Sequence, residues 1–396
     1  MTHHRPLIPL ALAATAALAI APAAAPAKVR QGPAGTAFYT PPKHTNAKRH
    51  GAPIWARNLT GPAALKQASS NTLVLYRSTD AAGKLDAVSG TISLPKGKVP
   101  KGGWPILTWA HGTTGIADQC APSRDGGSAL SSYVYPQLRQ WLKAGYAVVR
   151  TDYQGLGTPG THGYLIGKDE GRSVLDIVRA ARSLAPRLLS KRVIIGGHSQ
   201  GGHAALWAAA LAPSWTPELK VAGTVAFAPA SHLGEQASLI HAVTTPSALT
   251  ALAALILRGA DSADPSLNVG SLLSDKAAAL YPLTLTQCLP ALAVANGFAG
   301  MAPSEALKSD ADLTNVIAFL NANDPEELHI KTPVEILQGT ADSTVLPLFT
   351  DQLDTQLVGN GVKVTYKKFD GVQHGNVVQA GDAAALAFAR KELRRR

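Results

Sequence analysis

One stretch of this 396-residue chain carries the clearest chemistry. The apolar run Val193-Ile194-Ile195 passes without a break into Gly196-Gly197-His198-Ser199-Gln200-Gly201-Gly202, and residues 200–211 then read as a helix. A serine with glycines two positions away on either side fits a strand-to-helix turn too tight for side chains at the flanking positions. Such a turn holds the serine in strained backbone geometry with its hydroxyl presented outward. The amide of Gln200 then lies at a helix N-terminus, where it can stabilise an oxyanion. A serine hydroxyl is a weak nucleophile and needs a base. His374, in Asp370-Gly371-Val372-Gln373-His374-Gly375, directly follows the last strand pattern and is the candidate. His111 and His198 precede key turns and are read as pointing elsewhere. His162 and His203 fit the order serine, acid, histidine poorly. The acid that would hold the imidazole tautomer is Asp342, in the loop after a strand at 334–337. The competing reading of Asp342 is an N-cap for the next helix, and Asp324 and Asp370 are weaker rivals. A second oxyanion donor should come from His111-Gly112-Thr113-Thr114-Gly115. The Thr113 amide is the candidate there and Thr114 the runner-up.

These groups require a scaffold that brings several strand ends to one edge. Residues 72–78 and 87–94 read as strands joined by the turn Asp80-Ala81-Ala82-Gly83. Further strands are expected at 106–110, 146–151, 193–195 and 221–227. Helices are expected at 133–143, 169–184 and 200–211. In the second of these Val174, Ile177, Val178 and Ala181 share one face. Arg172 and Asp176, four apart on that helix, have an ion pair as their default reading. The pattern resumes with a strand at 334–339, a helix at 346–357, a strand at 362–369 and a helix at 382–393. This alternation implies an α/β domain, with a mostly parallel central sheet and helices on both faces. From about 231 to 330 the chain is rich in Ala and Leu, with helical segments and no convincing strand, so an insertion is expected there. The expected divisions are 1–27, 28–53 as an extended arm without packed elements, 54–232 as the first part of the core, 233–330 as a helical lid or cap, and 331–396 as the second part of the core.

Composition narrows the function classes. Hydrophobic residues make up 46% of the chain, which excludes a disordered body. The formal net charge is +11. Its densest basic run is Arg394-Arg395-Arg396, too short for a nucleic-acid patch and read as a helix end. The first 27 residues hold Arg5 as their only charged side chain, then an apolar run from Leu7 to Ile20 and the A-x-A site Ala25-Pro26-Ala27. A signal peptide cleaved before Lys28 and a secreted product are expected, with no later membrane-spanning segment. An even pair of cysteines in an exported chain, Cys120 and Cys288, suggests one disulfide; two buried free thiols are the alternative.

The chain resembles the α/β-hydrolase superfamily and, within it, the secretory lipase family of actinobacterial and fungal type. The resemblance rests on His111-Gly112-Thr113-Thr114-Gly115, on Asp152-Tyr153-Gln154-Gly155-Leu156-Gly157-Thr158-Pro159-Gly160, on Gly171-Arg172-Ser173-Val174-Leu175-Asp176, and on the 197–202 turn with Asp342 and His374 downstream. It covers roughly residue 53 to the C-terminus. It implies an α/β-hydrolase fold with a helical lid between the sixth and seventh core strands. It also implies hydrolysis of acylglycerols or other lipidic esters without a cofactor or metal, and it supports a Cys120–Cys288 bond. Leu239, Ile240, Leu249, Leu252, Leu255, Ile256 and Leu257 would pack the lid core, line an acyl pocket or meet a transient lipid interface. The resulting reading is an exported, monomeric or weakly associating ester hydrolase with no nucleic-acid partner. Its rivals are a serine peptidase or an acyltransferase on the same fold, and a non-catalytic binding protein.

Overall fold

The structure is a computed structural model that describes residues 1–2 and 29–395. The expected signal peptide and its cleavage site therefore fall almost wholly outside the described residues.

Nine strands form one sheet: β1 (Pro53–Asn58), β2 (Ser70–Thr79), β3 (Leu85–Leu94), β4 (Trp104–Ala110), β5 (Ala147–Thr151), β6 (Leu189–His198), β7 (Lys220–Phe227), β8 (Val334–Gly339) and β9 (Val364–Phe369). Their spatial order is β1-β2-β3-β5-β4-β6-β7-β8-β9. The first three pairs in this order are antiparallel and the remaining five are parallel. Counting helices of eight or more residues, the chain adds α1 (Tyr135–Lys143), α2 (Gly167–Leu184), α3 (Gln200–Trp215), α4 (Leu249–Ala263), α5 (Thr314–Asn321), α6 (Pro347–Gly359) and α7 (Val377–Arg394).

Alternation along the central strands explains the two helical layers. Ile106, Val149, Val193, Ile195 and Ile336 pack with Val174, Ile177 and Val178 of α2, with Ala204 and Ala208 of α3, and with Leu353 of α6. Leu107, Val148, Ile194 and Leu337, one residue out of phase, pack with Leu138 and Trp141 of α1 and with Ala385 and Phe388 of α7. Both faces of β4 to β8 are thereby buried, which is why these strands read as largely apolar runs, while β9 at the edge is not. The α/β architecture expected from the sequence is the architecture observed.

Between β7 and β8 the described chain contains helices and turns, whose apolar cluster includes Leu255, Tyr281, Phe298 and Met301 and continues onto Ile116, Tyr164 and Leu165 of the sheet domain. The insert opens at a short helix, Leu233–Ser238, whose first amides Leu233 N and Gly234 N donate to Asp324 at 3.0 and 3.3 Å. Its two ends therefore meet at one neck. It lies after the seventh strand rather than the sixth, because β1 was not among the strand patterns recognised in the sequence.

Three expectations need correction. The 28–53 segment is not an unpacked arm: Phe38 and Tyr39 are buried in a cluster with Trp55, Leu73 and Leu75, and Trp55 Nε1 donates to the Phe38 carbonyl at 2.9 Å. Arg172 and Asp176 do not pair with each other. Arg172 reaches the Asp80 carbonyl and lies over Trp215, while Asp176 pairs with Arg179 at 3.6 Å on the same helix and is bound by His50, Ser78 and Trp215. α7 begins at Val377, one and a half turns before the helix expected from residue 382, because its first turn is buried against the sheet.

Candidate active site

The turn between β6 and α3 places Ser199 at φ 59° and ψ −121°, a region that non-glycine residues occupy only when the surroundings enforce it. The flanking glycines explain how. A Cβ on Gly197 would stand 2.0 Å from the Gly201 carbonyl oxygen, and one on Gly201 would stand 2.0 Å from that of Ala110. The Ser199 amide is tied to the Phe227 carbonyl at 2.9 Å, which anchors the turn to the end of β7. Gln200 opens α3, so its N–H is among the helix groups with no intrahelical partner.

His374 and Asp342 come from the loops after β9 and β8. His374 Nδ1 donates to Asp342 Oδ2 at 2.7 Å, which leaves Nε2 as the acceptor nitrogen of the neutral ring. Asp342 is only 3% exposed, and its burial is compensated. Oδ1 accepts the amides of Thr344 and Val345 at 2.8 and 2.9 Å, while Oδ2 also accepts Gln338 Nε2 at 3.2 Å. Asp342 is not the N-cap of the next helix, which is Leu346; its amide contacts close a turn in the loop before it, so Asp342 holds its own loop as well as the histidine. The rivals are engaged elsewhere: Asp324 at the neck of the insert and Asp370 with Thr340.

Ser199, His374 and Thr113 line one cavity of about 640 Å³. The insert supplies its opposite wall, including Leu233, Ile240, Leu252, Ile256 and Leu307, and no Asp, Glu, Lys or Arg lies among the lining residues. Thr113 Oγ1 is 2.6 Å from the Tyr164 hydroxyl. Thr114 is buried behind the lining, where its carbonyl accepts the Leu289 amide of the insert at 2.9 Å. Beside that contact Cys120 and Cys288 form a disulfide.

The Gln200 side chain turns away from the cavity. Its amide nitrogen donates to His162 Nε2 at 2.9 Å and to Glu170 Oε1 at 2.7 Å. His162 donates through Nδ1 to the Gln154 carbonyl at 2.9 Å, so its pattern is that of a neutral ring, and burial pushes its pKa down to about 4. His203 Nε2 donates to the Asn323 carbonyl at 2.7 Å, as does Trp207 Nε1 at 2.9 Å. This buried network fixes the first turn of α3 against α2 and the neck of the insert.

His198 corrects the sequence reading, which pointed it away from the site. It lines the cavity, its ring centroid lies 4.5 Å from that of His374, and its Nε2 donates to the His374 carbonyl at 3.1 Å. The Tyr133 hydroxyl is bonded to its Nδ1. Burial, with His374 adding to it, holds the His198 pKa well below the ordinary histidine range. The His198 ring is thus neutral and orients the loop that carries His374. Nothing in the local sequence marks this, since the contact joins residues 176 positions apart.

Known proteins resemble this chain at several levels. Lipase A of Moesziomyces aphidis is 28% identical over 245 residues, covering 59% of this chain and 50% of that protein. A Mycobacterium tuberculosis protein named a probable inactive lipase is 30% identical over 216 residues, covering 51% of this chain and 47% of that protein. The chain spans about half the length of these curated relatives. The closed state of Candida antarctica lipase A superposes with a TM-score of 0.76 at 19% identity, over 90% of this chain and 85% of that one, a likeness of fold. The fold is that of the α/β-hydrolases. The secretory lipase family model matches residues 133–394, which include the strand-to-helix turn, the whole insert and both loops that supply Asp342 and His374; the chain belongs to the secretory lipase family.

Proposed function

We propose that this chain is an exported serine ester hydrolase acting on lipidic carboxylic esters through an acyl-enzyme. The observation that carries the reading is the strained Ser199 sharing one apolar cavity with a histidine whose Nδ1 is held by a buried carboxylate. In this reading Ser199 Oγ attacks the ester carbonyl and His374 Nε2 takes its proton. The amides of Gln200 and Thr113 receive the developing oxyanion. His374 then returns the proton to the leaving alcohol. Water, deprotonated by the same nitrogen, releases the acid from Ser199. Asp342 keeps the imidazole in its productive tautomer and stabilises the imidazolium.

Membership in the secretory lipase family supports hydrolysis and export, and the uncharged lining supports an acyl chain over a charged peptide terminus. The test is hydrolysis of p-nitrophenyl esters from acetate to palmitate by the purified protein beside Ser199→Ala. A serine-dependent peak at long chains supports a lipase, and a short-chain peak supports a carboxylesterase. Absence of hydrolysis across the series would overturn the ester-hydrolase reading. An added alcohol that diverts most product into a new ester would replace hydrolysis by acyl transfer.

A further inference from the structure

The charge of the chain is strongly asymmetric. Its first 79 residues contain no aspartate or glutamate, yet hold nine cations: Arg5, Lys28, Arg30, Lys43, Lys48, Arg49, Arg57, Lys66 and Arg77. The formal surplus of the whole chain is +11, so this segment accounts for most of it. Four of these cations line a single groove of about 1050 Å³. Arg30, Lys43 and Lys48 stand on the segment before β1, and Arg77 comes from β2. No carboxylate lines the groove, and among the described residues none of the four makes an ion pair.

The groove wall has fixed geometry. The segment before β1 is pinned by the buried Phe38 and Tyr39, and Arg77 Nε donates to the Ala47 carbonyl at 3.2 Å. Arg30, Lys43 and Lys48 remain exposed. Like charges held along one groove repel one another within a screening length of about 10 Å at 0.1 M salt. A ligand that brings a row of negative charges relieves that repulsion and releases counterions.

We propose that this groove binds an extended anionic polymer bearing a phosphate on each repeat. Its concavity suits a chain better than a flat bilayer. It lacks any Phe, Tyr or Trp on which bases could stack, which argues against single-stranded nucleic acid. The inference does not depend on the ester-hydrolase reading.

The experiment measures binding of long-chain inorganic polyphosphate to the full chain across a salt series. Two triple variants are compared with it: Arg30→Gln/Lys43→Gln/Lys48→Gln in the groove, and Lys96→Gln/Lys98→Gln/Lys101→Gln in the exposed β3–β4 loop, which removes the same charge elsewhere. Unfolding midpoints verify that both variants fold. The expected result is salt-sensitive binding weakened about tenfold or more by the groove variant, with the salt slope reduced by about 2–3, and little change in the loop variant. Absent binding at low salt, or equal weakening by both variants, would overturn the proposal. So would groove-dependent binding to phosphatidylglycerol vesicles without binding to polyphosphate, or tighter binding of oligothymidylate of equal charge.

Discussion

Ser199 stands on a turn clamped by two central strands and a helix, while the wall it faces belongs to an insert of short helices outside the sheet. On the sheet side each polar side chain is placed by backbone contacts of the sheet edge: Ser199 by Phe227, Asp342 by the amides of its own loop, His374 through its carbonyl. The insert contributes apolar surface and is tied to the core by the Cys120–Cys288 disulfide, by Leu289 N to Thr114 O, Gln119 Nε2 to Thr286 O and Ser262 Oγ to Thr161 O, by the neck at Asn323 and Asp324, and by packing on Ile116, Tyr164 and Leu165. The contrast teaches that the polar groups needing sub-ångström placement sit on the sheet edge, whereas the apolar wall they face comes from an insert joined to it through loops rather than through the sheet.

The largest effect that would sharpen this contrast comes from the sheet side. Ser199→Ala is expected to lower kcat about 10⁵-fold, and Asp342→Asn about 10³- to 10⁴-fold through the wrong tautomer, both with near-unchanged KM. Steady-state kinetics with matched unfolding curves would show it; a tenfold effect at either position would remove these residues from the chemistry. On the insert side, replacing Cys120 and Cys288 together by serine should lower stability by about 3–5 kcal/mol, since the bond joins positions 168 residues apart. Denaturant titration and limited proteolysis should then show the insert cut first, and a uniform loss would contradict the two-region view. His198→Phe removes one buried hydrogen bond to the His374 loop and should lower kcat about tenfold, leaving KM largely intact.

A further effect concerns pH. Burial raises the Asp324 pKa from the ordinary 3.8 to about 6, so the folded state holds this proton more tightly than the unfolded chain. Its stabilising contribution is full below the unfolded value and is lost as pH rises through about 6, with each unit of displacement equivalent to about 1.4 kcal/mol. Asp324→Asn should flatten the fall in stability between pH 4 and 6. An unchanged profile would show that the neck does not titrate in that window.

Much of this was legible in the sequence where chemistry and local pattern coincide. The turn around Ser199 is specified by glycines that no other residue can replace, and β4 to β8 advertise themselves by apolar runs buried on both faces. β1 escaped notice because it is a six-residue edge strand, Pro-Ile-Trp-Ala-Arg-Asn, with only Ile54 and Trp55 buried. The segment before it reads as a linker by composition, yet two aromatic side chains, Phe38 and Tyr39, suffice to seat it. Asp176 differs from the expectation because its helical ion pair is with Arg179 three residues on rather than with Arg172, and because its burial adds His50, Ser78 and Trp215 from distant parts of the chain.

The neck of the insert has one more consequence, for how such a protein can diversify. The chain enters the insert at Leu233 and leaves it near Asp324, and hydrogen bonds join these two points. Everything between is a cassette whose replacement leaves the strand register unaltered, provided the neck and the partner for Cys120 are retained. A graft of a foreign insert between these two points should therefore fold on the same sheet and exchange one substrate range for another.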